Sequence, residues 1–131
     1  MADDIASARC VLIVEDEILV RMFAVDVLED AGFQVEQAAG GAEALAKLRS
    51  AARTPSAVII DLGLPDRPGD EVAAEMRQAH AALPILIASG RSERELRDRF
   101  ASDPGVAILA KPYTEPMLLE ALRKLGVSQP S

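Results

Sequence analysis

Residues 57–69 read AVIIDLGLPDRPG, and this stretch decides which class of fold the sequence predicts. Its first four residues are all apolar, without the polar alternation of a strand that has one wet face. Such a continuous run is typical of a parallel strand that helices cover on both faces. Asp61 follows at once, and the glycines and prolines after it indicate a loop. The stretch therefore predicts a buried strand with a carboxylate at its carboxyl end.

Four other segments have the composition of strands, and they alternate with segments of helical period. Residues 11–14, 85–88 and 106–109 are apolar runs of the same kind. Residues 33–37 alternate apolar and polar side chains, which is typical of an edge strand. Apolar residues recur at helical spacing over residues 17–31, 42–52, 70–81, 92–100 and 115–125. Five strand–helix repeats predict one α/β domain with a central parallel sheet.

The helical segments differ in how much apolar surface they offer to a core. The predicted inward stripe of the first consists of Ile18, Met22, Val25 and Leu28. The predicted inward residues of the last are Met117, Leu118, Ala121, Leu122 and Leu125. The fourth offers only Leu96 and Phe100. Because buried apolar surface contributes about 25 cal/mol per Å², two side chains hold a helix weakly. We expect the fourth helix to be the mobile element of the domain.

The composition limits the classes of protein to which the chain can belong. Of its 131 residues, 50% are hydrophobic and 27% are charged, which is typical of a folded soluble domain. We expect a single domain over residues 1–131, with its core at about 9–126. The net charge of −7 argues against nucleic-acid binding, which needs excess positive charge. No apolar run approaches the roughly 20 residues of a membrane span, so we expect a cytoplasmic protein without membrane contact.

Polar residues follow four of the predicted strands at the point where each strand ends. They are Glu15, Asp16 and Glu17, then Asp61, then Ser89, and finally Lys111. Because sites of open parallel sheets lie at the carboxyl ends of the strands, we expect these side chains to meet. Clustered carboxylates repel one another, and a hard divalent cation such as Mg²⁺ relieves that repulsion by taking oxygen ligands. A carboxylate beside the cation can attack phosphorus and form an acyl phosphate, whose charge a lysine and a hydroxyl would compensate.

In this order, the motifs resemble those of the receiver domain of two-component response regulators, and the resemblance covers nearly the whole chain. The matching features are Glu15-Asp16, Asp61 with Pro65 and Gly69, Ser89, and Lys111-Pro112, each at its strand end. Each motif alone is weak, but all of them in order are specific. The resemblance implies a flavodoxin-like, doubly wound α/β fold, with a five-stranded parallel sheet in the order 2-1-3-4-5 and five helices.

The resemblance also implies a role for each site residue. Asp61 is implied to be the phosphoacceptor, paired with Lys111 before phosphorylation. Ser89 is implied to hydrogen-bond a phosphoryl oxygen and to carry the conformational signal. The implied ligands of Mg²⁺, for which Mn²⁺ can substitute, are Glu15, Asp16, Asp61 and the main-chain carbonyl of Gly63. The peptide bond between Lys111 and Pro112 is expected to be cis.

By the same resemblance, the chain is a signalling domain, with at most self-catalysed phosphorylation and dephosphorylation, rather than an enzyme. The implied phosphoryl donor is a histidine kinase or a histidine phosphotransfer protein. Phosphorylation is implied to switch the binding of a downstream protein, and the chain is expected to be a monomer or a weak homodimer.

The chain departs from many receivers at Ile108, three residues before the lysine, where an aromatic residue is common. Residues 84–91, PILIASGR, are similar to the Pro-Phe-x-Phe-Ala-Thr-Gly-Tyr stretch of a subgroup of mostly single-domain receivers. That subgroup also lacks the aromatic residue and has a loose fourth helix. In many receivers that aromatic ring turns inward when the hydroxyl group moves. Because Ile108 has no ring, we expect the switch to act by ordering residues 90–100.

Two other functions remain open from the residues. One is a Mg²⁺-dependent phosphohydrolase with an aspartate nucleophile, similar to haloacid dehalogenases. That family has a second Asp two residues after the nucleophile, where this chain has Gly63. The other is a receiver-like interaction domain that is not phosphorylated, against which the presence of Asp61, Asp16 and Lys111 argues.

Overall fold

The computed structural model describes residues 9–90 and 93–130, and the side chain of Glu93 is not described. The strands are β1 (Cys10–Val14), β2 (Gln34–Ala38), β3 (Ala57–Asp61), β4 (Ile85–Ser89) and β5 (Val106–Ala110). The helices are α1 (Ile18–Asp30), α2 (Gly41–Ser50), α3 (Gly69–Ala79), α4 (Glu93–Arg99) and α5 (Glu115–Lys124). Among these helices, none has the length and apolar character needed to cross a membrane. Arg91, which ends the stretch similar to the receiver subgroup, lies outside the described residues.

The five strands form one parallel sheet in the order β2-β1-β3-β4-β5, which confirms the predicted fold class and strand order. The register aligns the strand ends at one edge of the sheet. Val14 pairs with Ile60 between β1 and β3, Asp61 pairs with Ala88 of β4, and Ser89 pairs with Ala110 of β5. The polar residues that follow the strands are therefore held at nearly the same height along the sheet.

Each face of the sheet is covered by its own layer of helices. One face packs against α2, α3 and Leu96 of α4 through residues such as Val14, Ile60 and Ile87. The opposite face packs against α1 and α5 through residues such as Ile13 and Ile59. Because neighbouring residues of a strand point to opposite faces, a strand between two helical layers needs apolar residues at every position. This accounts for the continuous apolar runs of the central strands.

The predicted inward stripe of α1 is wrong at Ile18 and Met22, but it is right at Leu28, which is buried, and at Val25, which packs against the core. Ile18 and Met22 are 61% and 54% exposed, whereas Ala24, Val27 and Leu28 face the sheet. In the last helix Met117 is likewise 40% exposed, whereas the predicted inward residues Leu118 and Leu122 are buried. The first half of α1 is apolar at almost every position, so its periodicity does not select one face.

The fourth helix has the small apolar contact surface that the sequence predicts. Leu96 is buried and Phe100 is half-buried against the core. An ion pair between Arg99 of α4 and Asp70 of α3, which the sequence did not predict, also joins these two helices. The greater mobility of α4 stays a prediction.

Candidate functional site

The site is built on the ends of four neighbouring strands, which backbone hydrogen bonds hold together. The amide of Glu15 donates to the carbonyl of Ala38 at 3.0 Å, which fixes the chain as it leaves β1. The amide of Lys111 donates to the carbonyl of Ser89 at 2.9 Å, which joins the ends of β4 and β5. The backbone thus fixes the starting points of the side chains that form the site.

Three carboxylates meet beside β1 and β3, as the sequence predicts. Glu15, Asp16 and Asp61 each offer an oxygen, and these oxygens all lie within 4.8 Å of one another. Glu15 and Asp61 are only 3% and 8% exposed, and Asp16 is half-buried. Lys111 joins them, because its Nζ donates to Asp61 Oδ1 at 2.9 Å and to Glu15 Oε1 at 3.1 Å. One ammonium group therefore bridges two buried acids.

The charges of this cluster are not balanced by its own residues. Three carboxylates and one ammonium leave two net negative charges in a partly buried place. Burial raises the pKa of Glu15, and the hydrogen bonds from the Glu17 amide and Lys111 oppose that change. Burial also works against the charged form of Lys111, but its hydrogen bonds to Asp61 and Glu15 outweigh this and raise its pKa. Hard oxygen donors with excess negative charge fit a divalent cation such as Mg²⁺.

The carboxylate of Asp61 is oriented at both of its oxygens. Oδ1 accepts from Lys111, and Oδ2 accepts from the amide of Gly63 at 3.1 Å. The loop of residues 62–69 then turns back onto the end of β3, where the amide of Gly69 donates to the carbonyl of Leu62 at 2.8 Å. A Cβ atom on Gly69 would lie 2.1 Å from the carbonyl oxygen of Asp61, so only glycine permits this return. The loop is thereby closed at its base.

A cavity of about 1270 Å³ opens beside the Asp61 side chain. Its walls include Asp61, Gly63, Ser89 and Lys111, which brings the predicted hydroxyl and ammonium groups to the same space as the carboxylate. Ser89 is 2% exposed at the end of β4. The bond between Lys111 and Pro112 is cis, as predicted. The role of the Gly63 carbonyl as a metal ligand stays a prediction. The structure shows a contact of the Gly63 amide, which donates to Asp61.

Two residues that support the site were not found from the sequence. Arg21 of α1 donates from Nη1 to the Glu15 carbonyl at 2.7 Å, and nothing in its local sequence indicates this contact. Asp66, in the loop after Asp61, accepts hydrogen bonds from the first two amides of α2, those of Gly41 and Ala42. A signal for Asp66 did exist, because Gly40 precedes α2 and has no side chain with which to cap it.

Comparisons with known proteins agree with this geometry. The sequence model of the family described as "Response regulator receiver domain" matches residues 11–123. The chain is 33% identical over 126 residues to the transcriptional regulatory protein PdtaR of Mycobacterium tuberculosis, covering 96% of this chain and 60% of that protein. It is 29% identical over 124 residues to the sensor kinase CckA of Brucella abortus, covering 95% of this chain and 13% of that protein. Both of these relatives are thus considerably longer than the aligned receiver.

Solved structures of response regulators have a similar fold. The chemotaxis response regulator CheY4 of Vibrio cholerae superposes with a TM-score of 0.78 at 32% sequence identity, covering 90% of this chain and 98% of that chain. The residues matched by the family model, 11–123, include the strand ends that carry the acids and the lysine. The chain belongs to the family of response regulator receiver domains of two-component systems.

Proposed function

We propose that Asp61 is the phosphoacceptor of this receiver domain. A carboxylate oxygen of Asp61 attacks the phosphorus of a phosphohistidine, the new P–O bond forms as the P–N bond breaks, and the imidazole leaves with the bonding electron pair. The observation that carries the proposal is the hydrogen bond between Lys111 Nζ and Asp61 Oδ1 at 2.9 Å, within a cluster of three acids. It supplies both a nucleophile fixed in place and a cation beside the incoming phosphoryl oxygens.

We propose that Glu15, Asp16 and Asp61, with the main-chain carbonyl of Gly63, hold Mg²⁺. The donor chemistry fits, since carboxylate and carbonyl oxygens are the ligands that Mg²⁺ takes and two negative charges are left unbalanced. When bound, the cation neutralises charge that develops on the phosphoryl oxygens. Lys111 holds the carboxylates of Glu15 and Asp61 together by a hydrogen bond to each before the phosphoryl group arrives.

Ser89 is the proposed sensor of phosphorylation. It is buried at the end of β4, and its carbonyl accepts the Lys111 amide. A hydroxyl that turns to donate to a phosphoryl oxygen would pull on the strand end that leads into the segment before α4. Because α4 is attached by few apolar contacts, we propose that this segment is where the signal becomes a change of surface.

The proposed donor is a histidine kinase or a histidine phosphotransfer protein that docks on α1. Ile18, Leu19, Met22 and Phe23 form an exposed apolar surface, here called the α1 patch, in which Leu19 is 81% exposed. A cavity of about 440 Å³ beside Leu19 and Phe23 is also lined by Lys111, so the patch adjoins the phosphorylation site. Large exposed apolar patches mark interaction sites. A partner seated there could present its phosphohistidine to Asp61.

The remaining parts of the proposal concern the whole chain. We propose that residues 1–131 form one receiver domain that acts in the cytoplasm, where ATP supplies the phosphoryl groups of kinases. Its downstream target is a protein, because the net charge of −7 disfavours a nucleic acid.

Labelling with a small phosphodonor tests the phosphoacceptor. With Mg²⁺ present, the intact mass of the wild type should increase by one phosphoryl group, and Asp61→Asn should not change in mass. Asp70→Asn is the matched control, because Asp70 lines the same cavity outside the acidic cluster and should leave labelling intact. Equal labelling of Asp61→Asn and the wild type would mean that the acceptor is another residue.

The docking surface is tested with two phosphodonors. Leu19→Glu places a charge at the centre of the α1 patch, so it should slow transfer from a purified histidine phosphotransfer protein at least about tenfold, as expected for a central interface residue. Labelling by the small phosphodonor should stay unchanged. A variant that slows both reactions equally would refute a docking role and indicate damage to the site.

A further inference from the structure

We propose that Asp66 is a positioning residue for the metal site, because it fastens the loop that follows the phosphoacceptor to the start of helix α2. This inference rests on the proposed Mg²⁺ site at Glu15, Asp16 and Asp61. It assigns a role to a residue that takes no part in the acidic cluster itself.

The carboxylate of Asp66 makes two hydrogen bonds to the start of α2, one with each of its oxygens. Asp66 Oδ1 accepts from the amide of Gly41 at 2.9 Å, and Oδ2 accepts from the amide of Ala42 at 2.9 Å. The first amides of a helix have no partner within the helix, so a carboxylate here satisfies two donors and meets the positive end of the helix dipole. The hydrogen bonds from Ala42 and Gly41 lower the pKa of Asp66, which keeps it charged.

The start of α2 is shaped to receive this side chain. Gly40 stands at the position where a capping side chain is usual, and it provides no cap of its own. A Cβ atom on Gly40 would lie 3.0 Å from Asp66 Oδ1, and one on Gly41 would lie 2.6 Å from Cγ2 of Val72. Gly40 therefore leaves space for the approach of the loop, and Gly41 leaves space for Val72 of α3. The helix receives its cap from Asp66 instead of from the preceding residue.

Fastening the loop at Asp66 affects the metal site because Gly63 lies in the same loop. The base of the loop is closed by the hydrogen bond from Gly69 to Leu62, and the carboxylate of Asp61 accepts from Gly63. Asp66 fixes the far side of the loop against α2. A backbone carbonyl binds a metal ion well only if its loop keeps it in a fixed position. The anchored loop therefore keeps the carbonyl of Gly63 near one position.

Three variants separate positioning from simpler explanations. Asp66→Ala removes both hydrogen bonds, and Asp66→Asn removes the charge while keeping one oxygen that can cap the helix. Gly40→Ala perturbs the contact from the other side, and its φ of −159° is extended backbone that alanine adopts freely. The matched control is Glu43→Ala, since Glu43 is an exposed acid at the same helix start that accepts from the amide of Ala39 at 2.9 Å, outside the loop.

The first readout is the Kd for Mg²⁺, measured by calorimetry on the full chain. Loss of a cap that holds a ligand loop should raise Kd by about three- to tenfold in Asp66→Ala and in Gly40→Ala. Asp66→Asn should recover at least half of that loss on a logarithmic scale, and Glu43→Ala should change Kd by less than about twofold. The second readout is amide hydrogen exchange of Gly63 in the metal-free protein, which should quicken in Asp66→Ala and not in Glu43→Ala.

The alternative outcomes each overturn a definite part of this reasoning. If Asp66→Asn weakens Mg²⁺ binding as much as Asp66→Ala does, Asp66 acts through its charge and the positioning role is refuted. An equal effect of Glu43→Ala would mean that the stability of α2 alone matters, which also refutes it. If the wild type binds no Mg²⁺, the proposed function fails instead, and the exchange of the Gly63 amide still decides whether Asp66 holds the loop.

Discussion

Replacing Asp16 with Asn should stabilise the metal-free protein while abolishing most of its response to Mg²⁺. Asp16 belongs to the acidic cluster with Glu15 and Asp61, and Lys111 makes its hydrogen bonds to the other two acids. In the metal-free state, Asp16 therefore contributes mainly repulsion. Asn keeps the shape of the side chain and removes the charge, so the repulsion and the metal ligand are lost together.

The size of the effect follows from the spacing of the oxygens. Two unit charges 4.8 Å apart repel by about 3.5 kcal/mol at an effective dielectric constant of about 20, and by about 0.9 kcal/mol in water. Asp16 is half-buried and has two such neighbours, while the nearby ammonium of Lys111 offsets part of the sum. We expect a net stabilisation of about 1–2 kcal/mol, which for a domain of this size raises Tm by roughly 3–8 °C.

The assay is thermal unfolding followed by far-UV circular dichroism, because the chain has no tryptophan to report by fluorescence. Both proteins are melted in EDTA and then at increasing Mg²⁺. At a Mg²⁺ concentration ten times Kd, binding should add about 1.4 kcal/mol to the wild type and almost nothing to Asp16→Asn. The advantage of the variant in EDTA should therefore shrink or reverse as Mg²⁺ is added.

Glu17→Gln is the control, since Glu17 is an exposed acid next in the chain and lies outside the cluster. It should melt close to the wild type in EDTA and keep the response to Mg²⁺. The reasoning would be refuted by an Asp16→Asn protein that is less stable than the wild type in EDTA and gains as much from Mg²⁺.

Three further outcomes are expected. Lys111→Met leaves two buried carboxylates without their ammonium, so it should lower the free energy of unfolding by about 3–5 kcal/mol in urea titrations and slow labelling by a small phosphodonor. Gly69→Ala should prevent folding or lower the free energy of unfolding by more than about 3 kcal/mol, because its Cβ would overlap the Asp61 carbonyl. Gly90→Ala is the control, since no atom lies near its Cβ, and it should melt almost like the wild type. Phosphorylation should slow amide exchange over residues 93–100. Leu96→Ala removes the one side chain that is buried among those described in α4, so it should abolish that protection. Full protection before phosphorylation would contradict the ordering mechanism.

The strands were predictable from the sequence to within about one residue at each end. Central strands of a sheet covered on both faces must be apolar at every position, so their runs are visible without knowledge of the partners. The burial of α1 was not predictable in the same way. Its apolar residues cover most of its surface, and the choice between Ile18 and Val27 as inward positions depends on how the helix packs on the sheet.

The site also has a part that was predictable from the sequence and a part that was not. The residues at strand ends could be predicted to meet, because a parallel register brings the carboxyl ends of neighbouring strands to one edge. The contacts of Arg21 with the Glu15 carbonyl and of Asp66 with α2 join a helix or a loop to the site by side-chain geometry. The strand order does not determine where the side chains of helices and loops point, so only the three-dimensional structure shows these contacts.

The charge of the cluster links its stability to its chemistry. A phosphoryl group brings further negative charge to a cluster whose described members, three carboxylates and the ammonium group of Lys111, already carry two net negative charges. Without an added cation, the repulsion opposes both the approach of the donor and the survival of the acyl phosphate. The charge imbalance that we expect to destabilise the metal-free protein is therefore the same feature that should make phosphorylation of Asp61 depend on Mg²⁺.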